Sequence, residues 1–201
     1  MARPKLDDST PDSATSGVHR SALKGTALRS TLAAIEKLHG RAALQAIKAS
    51  FDDDARETLD HILPVSWYPV ALGAAVHDGV RRVIGHGDWE ASRLVGREAA
   101  RIDYTGVYRV LLRSIQYDTV FERVELAWRS YYSLGTFSWT RPGPGMMHAK
   151  VTGVRGFNTG MWNACAGRTE TLLLMTGARV ADVRVLDPTD HECSFDAMWV
   201  E

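Results

Sequence analysis

Apolar side chains recur at helical spacing through roughly the first two-thirds of the chain. Leu28, Leu32, Ile35 and Leu38 lie on one stripe of a helix that we expect to end at Gly40. Further stripes of this kind, one of them within residues 107–114, continue to about residue 131. The pattern predicts a helical N-terminal bundle. Asp52 begins an acidic run that we interpret as a helix cap rather than a metal site.

The pattern changes to alternation after Gly135. Phe137 and Trp139 begin a short strand, and a Pro/Gly-rich turn at 141–145 predicts a hairpin that returns over 146–154. A crossover helix follows, which we expect to run from the cap Asn158 to Gly177. Alternation at 181–185 and 193–199 predicts a second hairpin. Helices first and strands later indicate an α+β fold: an N-terminal helical bundle followed by an antiparallel sheet of two hairpins with a crossover helix.

Composition narrows the class of protein. The chain has 201 residues with 24 basic and 24 acidic side chains, so it lacks the positive charge typical of nucleic-acid or membrane-surface binding. No segment predicts a membrane span or a signal peptide, and we expect a cytoplasmic protein. Residues 1–22 are polar and predict a disordered tail, which leaves 23–201 as a single domain. Cys165 and Cys193 lie outside any metal-ligand spacing and predict packed thiols.

Motifs for catalysis or metal binding are not found. The seven histidines form no metal-binding pair, and no serine lies in a nucleophile elbow. The glycines of 153–160 match neither a P-loop nor a dinucleotide fingerprint, so we interpret them as a strand-to-helix turn. His77, beside an apolar helical stripe, is expected to be a structural histidine. We therefore favour a protein that is not an enzyme and has no metal.

Aromatic side chains provide the best candidate site. Trp128 and Tyr131 from the last helix of the bundle and Trp162 from the crossover helix are expected to line an apolar pocket, with Tyr108 and Arg113 at its polar end. Arg168 is a further candidate to hold an acidic head group. The alternative is that these rings simply fill the core.

Four short segments of the sequence are similar to a known family: residues 23–28, 62–69, 160–162 and 193–195. Together they resemble the myxobacterial paralogous family of uncharacterised proteins over about residues 22–201. The C-terminal part is similar to a wider superfamily that includes the four-vinyl-reductase small-molecule-binding domain, the haem-based nitric-oxide sensors and the transport protein particle subunits. The resemblance implies an α+β domain with a cavity between helices and sheet, often in a homodimer.

The same resemblance bears on cofactors. The haem sensors hold the haem propionates with a Tyr-x-Ser-x-Arg motif, and the nearest match here is Tyr131-Tyr132-Ser133-Leu134-Gly135, with glycine in place of arginine. His77 is the candidate axial ligand, but because the propionate-binding arginine is absent we expect no cofactor and disfavour haem. The favoured function is a non-catalytic small-molecule-binding or signalling module. The alternatives are a structural protein-interaction subunit and, less favoured, an enzyme or a haem-based gas sensor.

Overall fold

A computed structural model describes residues 21–104, 112 and 116–201. The predicted α+β fold is confirmed: a helical N-terminal region precedes an antiparallel sheet. The helices described are α1 (Gly25–Lys48), α2 (Asp53–Asp60), α3 (Val70–Val83), α4 (Glu90–Asp103), α5 (Tyr117–Tyr131) and α6 (Thr159–Thr176). The strands described are β1 (Ala22–Lys24), β2 (Trp67–Pro69), β3 (Thr136–Thr140), β4 (Met146–Thr152), β5 (Val180–Leu186) and β6 (Glu192–Val200).

The two predicted hairpins form one four-stranded antiparallel sheet. Its strand order is β3-β4-β6-β5, so the hairpins join through the pairing of β4 with β6. Cys193, Phe195, Ala197 and Trp199 alternate along β6 and are all buried. This face of the sheet packs against the helices, as the alternating pattern predicts.

A second, two-stranded sheet was not predicted. β1 pairs antiparallel with β2 immediately before the start of α1, and Leu23 lies opposite Tyr68. Three-residue strands are too short to show a period of two, so the sequence pattern carries no signal for them. The division into a tail and a domain at residue 22 stays a prediction.

Helices α4 and α6 approach closely because glycines form the contact. A Cβ atom on Gly96 would come within 2.2 Å of the carbonyl oxygen of Ala164, and one on Gly167 within 2.1 Å of that of Arg93. A buried carboxylate, Glu170, completes the contact by accepting hydrogen bonds from Arg93 and from the backbone N–H of Val183 in β5. This carboxylate links both helices to the edge of the sheet.

The helix ends follow the predicted caps in part. The side chains of Asp52 and Asn158 accept hydrogen bonds from backbone N–H groups of the first turns of α2 and α6. At Gly40, where we expected a helix to end, the backbone leaves helical geometry (φ 81°, ψ 165°), so α1 consists of two helical segments joined at a kink. The helix predicted within 107–114 lies outside the described residues. None of the helices that the structure describes has the length and apolarity needed to cross a membrane.

Candidate functional site

The main cavity lies between α5, α6 and the inner face of the four-stranded sheet. Its volume is about 100 Å³. Most of its wall is apolar, with contributions from α5 (Val124, Ala127), from the sheet (Phe137, Met147, Ala149, Val151, Phe195) and from α6 (Leu172). Mostly apolar walls with a few polar groups are the usual form of a small-molecule site.

Two predicted site residues, Trp128 and Tyr131, lie in the cavity wall. They are three positions apart on α5, which places them on the same face of the helix. The indole of Trp128 is held in place by a hydrogen bond from its Nε1 to the carbonyl oxygen of Leu134, at 3.0 Å. Gly135 packs against this indole, and a Cβ atom there would lie 2.8 Å from its Nε1. The glycine therefore permits the close packing of the ring.

Trp162 lies behind the wall rather than in it. Its ring is fully buried, packs against Phe157 with a centroid distance of 4.4 Å and an interplanar angle of 34°, and donates a hydrogen bond to the carbonyl oxygen of Thr189 at 2.7 Å. This position supports the cavity from the core. Tyr108 and Arg113, the other two predicted site residues, lie outside the described residues.

Arg168 forms the polar end of the cavity. Its Nη1 lies 2.6 Å from Oδ2 of Asp103 at the end of α4, and its Nη2 donates to Oγ of Ser30 at 2.9 Å. The hydroxyl of Tyr131 also donates to Oδ2 of Asp103, at 3.2 Å. Burial alone would lower the pKa of Arg168, but the carboxylate of Asp103 outweighs it and the pKa rises above its ordinary value. The guanidinium is thus a permanent cation beside an apolar cavity.

A thiol and a phenol meet at the cavity wall. Sγ of Cys165 lies 3.7 Å from the hydroxyl of Tyr132. Burial raises the pKa of the thiol to about 11, so the thiol is protonated at neutral pH and is a poor nucleophile. Burial also raises the pKa of Tyr132 well above its ordinary value.

His77 borders a second cavity of about 20 Å³, which is large enough for about one water molecule. Its Nδ1 lies 3.1 Å from Oγ of Ser92. Burial, with a smaller effect from the charge of Arg168, lowers the pKa of His77 to about 4. The ring is therefore neutral at physiological pH. Within the described part of the chain, no three His, Cys, Asp or Glu side chains are grouped so that they could hold a metal ion.

Sequence reasoning missed the partners of Arg168. Asp103 is 65 residues away in the chain, and Ser30 is 138 residues away. Neither residue lies in a motif, and a charged residue beside an apolar helical stripe ordinarily faces solvent. No local signal could have identified them.

Comparisons with known proteins show the fold. A variant of the Fe(II) unliganded H-NOX protein from K. algicida matches with a TM-score of 0.67 and 12% identity, covering 89% of this chain and 97% of that one. An oxygen-binding H-NOX domain related to soluble guanylate cyclases, in its oxygen complex, matches with a TM-score of 0.63 and 11% identity over 89% and 96% of the two chains. An H-NOX structure from work on haem distortion gives a TM-score of 0.57 and 13% identity, over 89% and 96%. This chain therefore has the H-NOX fold.

No family model matches the chain, and no curated protein does. At identities this low the comparisons confirm the fold alone, and the superfamily link to haem nitric-oxide sensors stays a prediction. Membership of the myxobacterial paralogous family stays a prediction.

The expectation of no cofactor, with haem disfavoured, was wrong. Two of the solved structures with this fold are H-NOX domains described with Fe(II) or with haem. The expectation failed because it relied on one local motif, whereas the arrangement of helices and sheet is shared with these H-NOX structures. In the part of the chain that the structure describes, the cavity does not fit haem, because it is small and its wall contains no histidine. Cys165 and Tyr132 nevertheless carry atoms able to ligate iron.

Proposed function

We propose that the domain is a sensor module that binds a small, largely apolar molecule between α5, α6 and the sheet. The observation that carries the proposal is the apolar cavity with a partly buried cation, Arg168, at one end. The position of the cavity between the helical and sheet layers supports binding coupled to a rearrangement of the layers. Support also comes from the H-NOX fold, since one solved neighbour is described as an oxygen complex.

Filling the cavity tests this proposal. Ala127→Leu adds three heavy atoms to the cavity wall, whereas Ala46→Leu makes the same change on the exposed side of α1. We expect small apolar probes such as cyclopentane to raise the melting temperature of the wild type and of Ala46→Leu but not of Ala127→Leu. If no apolar probe stabilises the wild type, the protein-interaction alternative replaces the sensor proposal.

Haem is the second candidate ligand, and the H-NOX neighbours are the observation that favours it. Haem binding would require the cavity to open, because the cavity volume of about 100 Å³ is well below the roughly 300–1,000 Å³ of typical cofactor sites. Titration of the purified protein with hemin, followed by absorption spectroscopy and native mass spectrometry, tests this candidate. A stoichiometric haem complex whose absorption band changes in Cys165→Ser or Tyr132→Phe would establish it, and a spectrum of free hemin would remove it.

A further inference from the structure

The polar end of the main cavity indicates which chemical class of ligand the site accepts. We propose that the cavity selects an uncharged, mostly apolar molecule with one acceptor oxygen, such as a small ketone, aldehyde or ester, and that Arg168 donates to that oxygen. This inference rests on the proposed function and adds the ligand class.

The balance of charge excludes an anionic ligand. The side chains of Arg168 and Asp103 are only 17% and 8% exposed, and they form an ion pair. The cation is therefore already neutralised within the site. A ligand carboxylate would bring a second negative charge into buried surroundings without a matching cation, and such a charge is costly to desolvate.

The carboxylate at this end is already occupied, whereas Arg168 keeps N–H groups that can donate. Oδ2 of Asp103 is already close to three partners: Arg168 Nη1 at 2.6 Å, Ser30 Oγ at 3.0 Å and the Tyr131 hydroxyl at 3.2 Å. A guanidinium carries five N–H groups, and among the described residues those of Arg168 donate only to Asp103 and Ser30. A carbonyl oxygen on the ligand would accept from one of the remaining N–H groups.

The volume limits the size of the ligand. A cavity of about 150 Å³ accommodates benzene, and this one measures about 100 Å³. A five-membered ring or a short chain is therefore a suitable probe.

Three probes of the same ring size separate the relevant chemistries: cyclopentanone, cyclopentane and cyclopentanecarboxylate. We expect cyclopentanone to bind more tightly than cyclopentane, on the order of fivefold, because a hydrogen bond from a charged donor exceeds the cost of desolvating the carbonyl. The carboxylate should bind most weakly. Binding is measured on the full chain by titration with two-dimensional NMR detection.

The outcomes distinguish this inference from the proposed function. If cyclopentane binds more tightly than cyclopentanone, or if the carboxylate binds best, the ligand class is overturned while the ligand cavity stands. If none of the probes binds, the proposed function fails and the inference fails with it.

A variant and a spectrum test the role of Arg168. Arg168→Lys keeps the charge beside Asp103 but replaces the five-donor planar guanidinium by a compact ammonium with three donors, and it should reduce the preference for the ketone. Arg179→Lys, an exposed residue of the same type, should leave that preference unchanged. The carbonyl stretch of ¹³C-labelled cyclopentanone bound to the wild type gives a readout that does not depend on a variant. It should lie below its frequency in an apolar solvent, and a frequency equal to the solvent value would overturn the inference.

Discussion

The substitution Trp162→Ala removes the largest fully buried side chain of the core. Trp→Ala changes at such sites cost about 3–5 kcal/mol, because both burial and packing are lost. The hydrogen bond from Nε1 to Thr189 is also lost, which leaves the Thr189 carbonyl without this partner and adds about 1 kcal/mol. We therefore expect the free energy of unfolding to fall by about 4–6 kcal/mol, a large part of the 5–15 kcal/mol typical of a domain.

Urea denaturation followed by circular dichroism measures this loss. The control is Trp67→Ala, because Trp67 is 44% exposed and its contact with Lys24 across the ring is worth about 1 kcal/mol at most. Its midpoint should stay close to that of the wild type. If Trp162→Ala costs no more than Trp67→Ala, the assignment of Trp162 to the closely packed core is wrong, and the ring would have to be placed in an open part of the cavity.

Four further predictions concern buried groups and assembly. The pKa of His77 is lowered from 6.5 to about 4 in the folded state, so the unfolded chain takes up a proton first as the pH falls. The free energy of unfolding should therefore have its full value above pH 6.5 and fall by about 3 kcal/mol by pH 4. Urea denaturation at pH 7 and pH 4 checks this, and His77→Gln should remove that part of the pH dependence. Glu170→Gln should cost about 3 kcal/mol, since it removes the buried carboxylate that pairs with both Arg93 and Arg97 and leaves Arg93 with the half-exposed Asp182 alone, and a cost below about 1 kcal/mol would argue against these ion pairs. Because the pKa of the Cys165 thiol is about 11, it should react with a thiol reagent at pH 8 only after denaturation, and rapid labelling of folded protein would contradict its burial. We also predict a homodimer, to be checked by sedimentation velocity, where a monomer throughout a tenfold dilution series would refute it.

Local pattern was sufficient to predict most of the fold. The alternation at 193–199 predicted both a strand and its buried face, because side chains of a strand point to opposite sides in turn. The cap residues Asp52 and Asn158 marked the starts of two helices for an equally local reason, since a cap bonds to N–H groups two or three residues ahead. Gly40 was predicted as a helix end for a local reason too, and its φ of 81° interrupts the helical backbone there, because glycine adopts this conformation without a steric penalty.

The sequence by itself determined the class of fold and two residues of the cavity wall, Trp128 and Tyr131, because their spacing places them on one helical face. Only the tertiary structure decided that Trp162 lies behind that wall, since rings in a core and rings in a cavity wall have the same apolar pattern. The pairing of Arg168 with Asp103 also depended on the fold. The two residues are 65 positions apart, and only the packing of α4 against α6 brings their charges together in a buried site.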